Sequence, residues 1–280
     1  MTRLGLIQMC AGDDPAQNAQ TAAAMVNEAA DQGAKFVLTP EVTNCLSSSR
    51  THQRAVLTSE DQDITLSTLR DTAAKRGVWV LIGSLGLTTD DADGRFANRS
   101  FLITPTGEIA ARYDKIHMFD VDIGGGESFR ESDGYRPGDQ AVVAQTDFAP
   151  VGMSICYDVR FPYLYRDLAQ AGAQILTVPA AFHPVTGAAH WHVLLRARAI
   201  ETGCFVVAPA QTGTHPTTRG KPRQSYGHSL VVAPWGDILA DGGTDAGIVF
   251  ADIDLKQVAE ARKRVPSLTH DREFKGPARV

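Results

Sequence analysis

Apolar and polar positions along the chain recur in one order: an amphipathic helical stretch, a glycine, then a short apolar run. The order is legible at Asp31-Gln-Gly33 before Ala34-Lys-Phe-Val-Leu-Thr-Pro40, and at Lys75-Arg-Gly77 before Val78-Trp-Val-Leu-Ile-Gly83. It returns at Gln170-Ala-Gly172 before Ala173-Gln-Ile-Leu-Thr-Val-Pro179, and at Glu201-Thr-Gly203 before Cys204-Phe-Val-Val-Ala-Pro209. Each glycine suits the left-handed residue that closes a helix, and a proline after three of the runs stops a strand ladder. Helix starts are marked as well. Asp14-Pro15 reads as N-cap plus first residue, and Ser59-Glu-Asp-Gln62 has capping-box spacing. Two alternating pairs predict hairpins, 99–104 with 108–113 through Pro105-Thr-Gly107, and 229–233 with 237–240 through Pro234-Trp-Gly236. Residues 120–139 carry no period and are predicted to form the longest irregular loop, one that shapes a site. Its Gly124-Gly-Gly126 is no dinucleotide fingerprint, because Phe129 occupies the third glycine position.

Helices alternating with strands and hairpins predict a layered α/β fold. No linker, charge run or repeat divides the chain, so one domain over 1–280 is expected, with 266–280 a tail too polar to add a core element. Composition narrows the setting. Of 280 residues 43% are apolar and 21% charged, ordinary for a globular protein, and a net charge of −5 gives no reason to expect nucleic acid or an acidic membrane. No stretch approaches the ~20 apolar residues of a spanning helix, and the N-terminal apolar run ends too soon for a signal peptide. Cys10, Cys45, Cys156 and Cys204 are scattered without C-x-x-C spacing. A disulfide framework or metal site is therefore not expected, and a reduced, cytoplasmic setting is.

The segment Val151-Gly-Met-Ser-Ile-Cys156-Tyr-Asp-Val-Arg-Phe-Pro162 places a thiol where an apolar strand turns into a helix over 163–171. Free N–H groups and the dipole at a helix start favour a thiolate, so Cys156 is a candidate nucleophile; a packed, inert core cysteine is the competing reading. No histidine has a diagnostic setting as its base. His190 and His192 do not share a helix face, His52, His215 and His270 fall in polar, surface-like stretches, and His117, His183 and His228 sit near strand ends. Glu41 and Lys115 occupy the same kind of strand-end position as Cys156. Desolvation there raises a carboxylate toward a useful base, and a lysine at a neighbouring strand end lowers the thiol and can hold an oxyanion. Either charge alone could simply cap a strand; a Glu, a Lys and a Cys each closing a separate strand is a more specific pattern.

Thr39-Pro-Glu41, Tyr113-Asp-Lys115-Ile-His-Met-Phe-Asp120 and Ile155-Cys156-Tyr-Asp-Val-Arg-Phe-Pro162 resemble the three motif blocks of the nitrilase (carbon–nitrogen hydrolase) superfamily, and the resemblance runs from Ile7 through Leu255. It implies a four-layer α-β-β-α sandwich and cleavage of a small carboxamide to carboxylate and ammonia through a cysteine thioester, without a cofactor. In that reading Cys156 attacks, Glu41 is the base, and Lys115 with the backbone N–H of Tyr157 holds the oxyanion. A second family glutamate maps onto Glu131, with Glu127 as the fallback. The sequence departs from the family at Tyr163, where a glutamate is common.

Thr186-Gly-Ala-Ala-His-Trp191 and Leu195-Arg-Ala-Arg-Ala-Ile-Glu201 resemble the branch acting on deaminated glutathione and on 2-oxoglutaramate; the first is the expected substrate. Alternatives are ω-amidase chemistry, an N-carbamoyl amino acid, a nitrile, or a non-catalytic protein, which the intact triad argues against. A carboxylate-bearing substrate needs a cation, for which Arg160 is the motif-level candidate and an ion pair with Asp158 the competing role. Phe182 and Thr186 are further pocket candidates. Arg219, Lys221 and Arg223 form a basic loop that either reaches a distal carboxylate or stays in solvent. Members of the superfamily commonly pair sandwich to sandwich, which implies a homodimer or a larger homo-oligomer.

Overall fold

The computed structural model describes residues 1–124 and 127–278; Gly125, Gly126 and the side chain of Glu127 lie outside the described residues. From the N-terminus come β1 (Thr2–Gln8), α1 (Pro15–Asp31), β2 (Phe36–Leu38), α2 (Arg50–Val56), α3 (Ile64–Arg76), β3 (Trp79–Leu87), β4 (Ala97–Ile103) and β5 (Ile109–Asp114). The middle holds β6 (Asp120–Gly124), β7 (Glu127–Arg130), β8 (Val142–Ala144), β9 (Val151–Met153), α4 (Pro162–Gln170), β10 (Ile175–Thr177) and α5 (Pro184–Thr202). The last third holds β11 (Phe205–Ala208), β12 (Thr212–Thr214), β13 (Gln224–Tyr226), β14 (Leu230–Val232), β15 (Ile238–Asp241), β16 (Gly247–Ile253) and α6 (Lys256–Arg264).

Two six-stranded sheets, ordered β16-β1-β2-β3-β4-β5 and β15-β14-β11-β10-β9-β8, pack face to face. Each is parallel at its centre and antiparallel at its edges. The alternation of a strand decides which core each side chain joins. Leu4, Leu6, Phe36, Leu38 and Leu102 meet Val151, Met153 and Ile175 between the sheets. Their neighbours Ile7, Val37, Val80, Phe101 and Ile103 point the other way, onto Val26 and Ala29 of α1 and Leu66, Leu69 and Ala73 of α3. Helices α4 and α5 cover the outer face of the second sheet over β9, β11 and β14. The four layers are the sandwich expected from the sequence.

Helix ends follow the expected chemistry except at one place. Asp14 accepts from the N–H groups of Ala16 and Gln17 with Pro15 following, and Gly77 and Gly203 close α3 and α5 with φ of 63° and 61°. Ser59, however, stands only before a single 3-10 turn, Glu60–Gln62, and its side chain makes no capping bond. Its hydroxyl donates to Asp61, and Asp63 accepts from Leu66 N at 2.8 Å to begin α3. A charged acceptor directly before the first helical residue outcompetes a hydroxyl four residues earlier. The 120–139 segment is not irregular throughout: β6 and β7 form a hairpin there. His215 is buried rather than at the surface, bonded to Ala11 O and Ser225 Oγ at 2.8 Å each. The start of the tail, residues 267–271, lies on α4, where Arg166 and Gln170 donate to Ser267 O and Leu268 O at 3.0 Å and Leu268 packs against the core. Among the described residues no helix is long and apolar enough to cross a membrane.

Candidate active site

Three strand ends converge at one edge between the sheets. Glu41 follows β2, Lys115 follows β5 and Cys156 follows β9, and all three are buried. A bulge in β3, between Ile82 and Leu85, makes room for them. There Gly83 leaves its neighbours the space they need, since a Cβ on it would sit 2.1 Å from Thr39 O and 2.4 Å from Pro40 O. Ser84, within the bulge, receives the N–H of Val42 on its hydroxyl at 2.8 Å and so fixes the turn that carries Glu41.

Lys115 Nζ donates to Glu41 Oε1 at 2.9 Å and to both oxygens of Glu131 at 3.0 and 2.8 Å. Glu41 is held further by Ala181 N on Oε2 at 2.9 Å, and Glu131 by Phe119 N at 2.7 Å. Asn98, from the interior of β4, donates through one amide nitrogen to Glu41 at 3.0 Å and Glu131 at 3.3 Å. The Cys156 thiol lies close enough to the Glu41 carboxylate for that charge to act on it. Two carboxylates, one ammonium and a neutral thiol leave the cluster one negative charge in excess.

That balance sets the proton positions, and it departs from the expectation at two groups. Burial and the Glu41 charge push the thiol well above its ordinary range, outweighing the opposing pull of Lys115. Burial would also raise Glu41, but the Lys115 charge, the hydrogen bonds from Lys115 and Ala181 and the neighbouring thiol hold it below the usual carboxylate range. Burial would lower Lys115, yet Glu131 and Glu41 keep it charged far into alkaline pH. The resting site is thus thiol, carboxylate and ammonium, rather than a thiolate beside a protonated acid.

Cys156 stands at φ 49°, a left-handed conformation that costs a residue with a side chain of order 1–3 kcal/mol. The turn after it is a 3-10 helix over Cys156–Arg160; α4 begins only at Pro162, so the thiol does not cap an α-helix as expected. Buried Asp158 holds this turn. It accepts from Ile155 N at 2.8 Å, Tyr113 Oη at 2.6 Å, and His117 N and Nδ1 at 3.0 and 2.7 Å. Tyr113 and His117 flank Lys115 by two residues on either side, so Asp158 ties the strand end bearing the ammonium to the turn bearing the thiol.

The cluster lies in a cavity of about 300 Å³ whose walls include Phe182 and Thr186, as expected, and Arg50, Arg130 and Arg223, of which only Arg223 was considered from the sequence. Arg160 does not line it. Its guanidinium lies over the rings of Tyr157 and Phe182 and beside His190 Nδ1 at 3.3 Å, and Asp158 is occupied elsewhere. Tyr163, at the departure from the family pattern, meets His117 Nε2 through its hydroxyl at 2.5 Å. Nothing in the sequence marks Asn98 or Arg50 as site residues. Asn98 looks like any polar residue of a strand, and Arg50 opens α2, a short stretch without a motif.

A family model for carbon-nitrogen hydrolases matches residues 3–263. The chain is 36% identical over 270 residues to the deaminated glutathione amidase of Yersinia enterocolitica, covering 96% of this chain and 92% of that one. In structure it resembles the C. elegans NitFhit protein with a TM-score of 0.87 at 36% identity, over 97% of this chain and 65% of that one. It also resembles Saccharomyces cerevisiae Nit3, a member of branch 10 of the nitrilase superfamily, with a TM-score of 0.85 at 28% identity over 98% and 97% of the two chains.

Proposed function

The chain belongs to the carbon–nitrogen hydrolase family and is a hydrolase of non-peptide carbon–nitrogen bonds, and we propose that it cleaves deaminated glutathione through a thioester on Cys156. The observation that carries the reading is the buried thiol beside a carboxylate that shares one ammonium with a second carboxylate. As sulfur adds to the amide carbonyl, its proton passes to Glu41. Negative charge collects on the carbonyl oxygen, opposite Lys115 Nζ and the N–H of Tyr157. Protonation of Glu41 frees Lys115 from half of its counter-charge at that moment, so the ammonium turns to the oxyanion. Glu41 gives its proton to the departing amine as the C–N bond breaks. It then takes one from the water that attacks the thioester, and returns it to sulfur as the C–S bond breaks. Glu131 keeps Lys115 charged throughout.

With deaminated glutathione the leaving amine is that of a cysteinylglycine dipeptide; with 2-oxoglutaramate it is ammonia. Both leave the same 2-oxoglutaryl group on sulfur. The test is the purified protein with each of these, an N-carbamoyl amino acid and a nitrile, reading the released acid and amine, with Cys156→Ala as control. Turnover of deaminated glutathione that vanishes in the variant supports the reading, and near-normal hydrolysis by Cys156→Ala overturns it.

The proposal extends to a second copy of the chain and to a cytoplasmic setting. Val185, Val193 and Ile200 expose apolar side chains along α5, beside exposed Trp235, Ile238 and Leu239, a patch that suits a self-complementary contact. Val193→Asp is expected to shift the sedimenting species toward monomer. Four free cysteines fit a reducing compartment.

A further inference from the structure

We infer that Arg50 and Arg223 form a carboxylate-binding subsite, and that the substrate's acyl half ends in a carboxylate held there. Only the naming of the acyl half rests on the thioester reading. The two ends of the cavity differ in charge. The thiol end carries the excess negative charge of Glu41 and Glu131 over Lys115. Arg130 is matched by Asp122, whose oxygens both lie 3.0 Å from it. Arg50 and Arg223 have no carboxylate partner among the described residues, although both line the cavity. A guanidinium that lines the cavity with no counter-ion of its own is suited to an incoming planar anion.

Arg50 is also built into place. Its guanidinium lies 5.0 Å over the ring of Tyr135, and its Nη1 donates to Gln53 Oε1 at 2.9 Å, a neutral acceptor that leaves the charge unspent. Gln53 in turn donates to Tyr135 Oη at 3.1 Å. On the far side the guanidinium lies against bare backbone, since a Cβ on Gly134 would stand 2.1 Å from Arg50 Cζ. Arg223 comes from the loop before β13. That loop is fastened by Ser48 Oγ donating to Lys221 O at 2.8 Å, and by His215 N donating to Arg223 O at 2.9 Å. Of the three cations of this loop, Arg223 lines the cavity and Arg219 and Lys221 do not.

Cys45, Ser47, Gln53 and Tyr135, which wall the Arg50 end, are all buried. The acyl half stays attached to sulfur until water arrives, whereas the amine must leave first, so the enclosed end suits the acyl half. The implied substrate class is a monoamide of a short dicarboxylic acid, whose acyl half ends in the free carboxylate. Its carboxylate is drawn to the arginines and repelled from the glutamates, which presents the amide to Cys156.

Calorimetry with glutarate on the full chain tests the subsite without requiring turnover. Wild type is expected to bind it, with Arg50→Met weakening binding tenfold or more and Arg50→Lys recovering part of the loss. Gly134→Ala keeps the arginine but displaces its guanidinium, and is expected to weaken binding similarly. It also carries the test if Arg50→Met fails to fold. In hydrolysis, the kcat/KM preference for glutaramate over uncharged glutaramide should fall by the same factor in both variants, through KM. Absence of glutarate binding to wild type, or equal binding by wild type and the variants, overturns the subsite and leaves the hydrolase reading standing. Glutarate binding without hydrolysis of any amide counts against the hydrolase reading and for the subsite.

Discussion

Asn98→Asp is a one-atom test of how the two carboxylates are kept apart. In the native site the Asn98 amide donates to Glu41 Oε1 at 3.0 Å and to Glu131 Oε1 at 3.3 Å, and the residue is buried. An ionised aspartate in its place would set a third negative charge at those distances. At an effective dielectric of about 20, a like-charge contact at 3.0 Å costs roughly 5 kcal/mol, and Lys115 offsets only part of the sum. Each ~1.4 kcal/mol is tenfold in proton affinity, so the introduced carboxyl would keep its proton through neutrality and release it only in the alkaline range. The protonated form donates one hydrogen bond to an ionised acceptor in place of two; losing one costs about 1.5–3 kcal/mol. The variant should therefore run roughly ten- to a hundredfold below wild type near pH 7. It should then lose its remaining activity as pH rises, an alkaline limb that wild type lacks. Amide hydrolysis followed as kcat/KM against pH, with a thermal melt at each end of the range, reads both effects. Wild-type activity with a wild-type profile would refute the claim that this amide supports the carboxylates.

Three further outcomes follow from the same cluster and its surroundings. Glu41→Gln is expected to cost ~10²–10⁴ in rate as a lost general base, and Lys115→Ala about 2.7–4 kcal/mol of transition-state stabilisation; steady-state kinetics on soluble, folded variants would check both. Because the base must be ionised and Glu41 lies below its ordinary 4.5, wild-type kcat/KM should rise with pH only in the acid range, then stay level through neutrality, with the thiol well above 9.0 and Lys115 well above 10.5. An inflection near neutral pH would point to a thiolate–imidazole device instead. His215, pushed down to about 4 by burial from 6.5, is neutral in the fold but protonated in the unfolded chain between those values. Stability should therefore fall as pH falls across that window, by up to about 3 kcal/mol, and melts of His215→Gln should show a shallower fall. Parallel curves for the two proteins would refute it.

The sequence by itself determined the repeating helix–glycine–strand order, the hairpin turns, and the three strand ends at which Glu41, Lys115 and Cys156 stand. Those features are written in short-range periodicity and in the conformations that glycine, proline and capping residues allow, and such signals act over a few residues. The four layers were legible through the motif blocks as well. The protonation state was not. Lys115 and Glu41 meet from 74 residues apart, and whether burial or the neighbouring charge wins depends on how many donors surround each group. The expectation of a lowered thiol and a raised carboxylate considered each residue beside its own strand, and the fold reversed both by packing them together. Asn98 and Asp158 gain their positioning roles the same way, from partners 57 and 41–45 residues distant. Arg160, conspicuous in its motif, is turned onto aromatic rings, while Arg50, in a stretch with no motif, is brought to the cavity beside Gly134. Which cation faces the cavity is decided by tertiary packing, because a long flexible side chain goes where the surrounding backbone leaves it room.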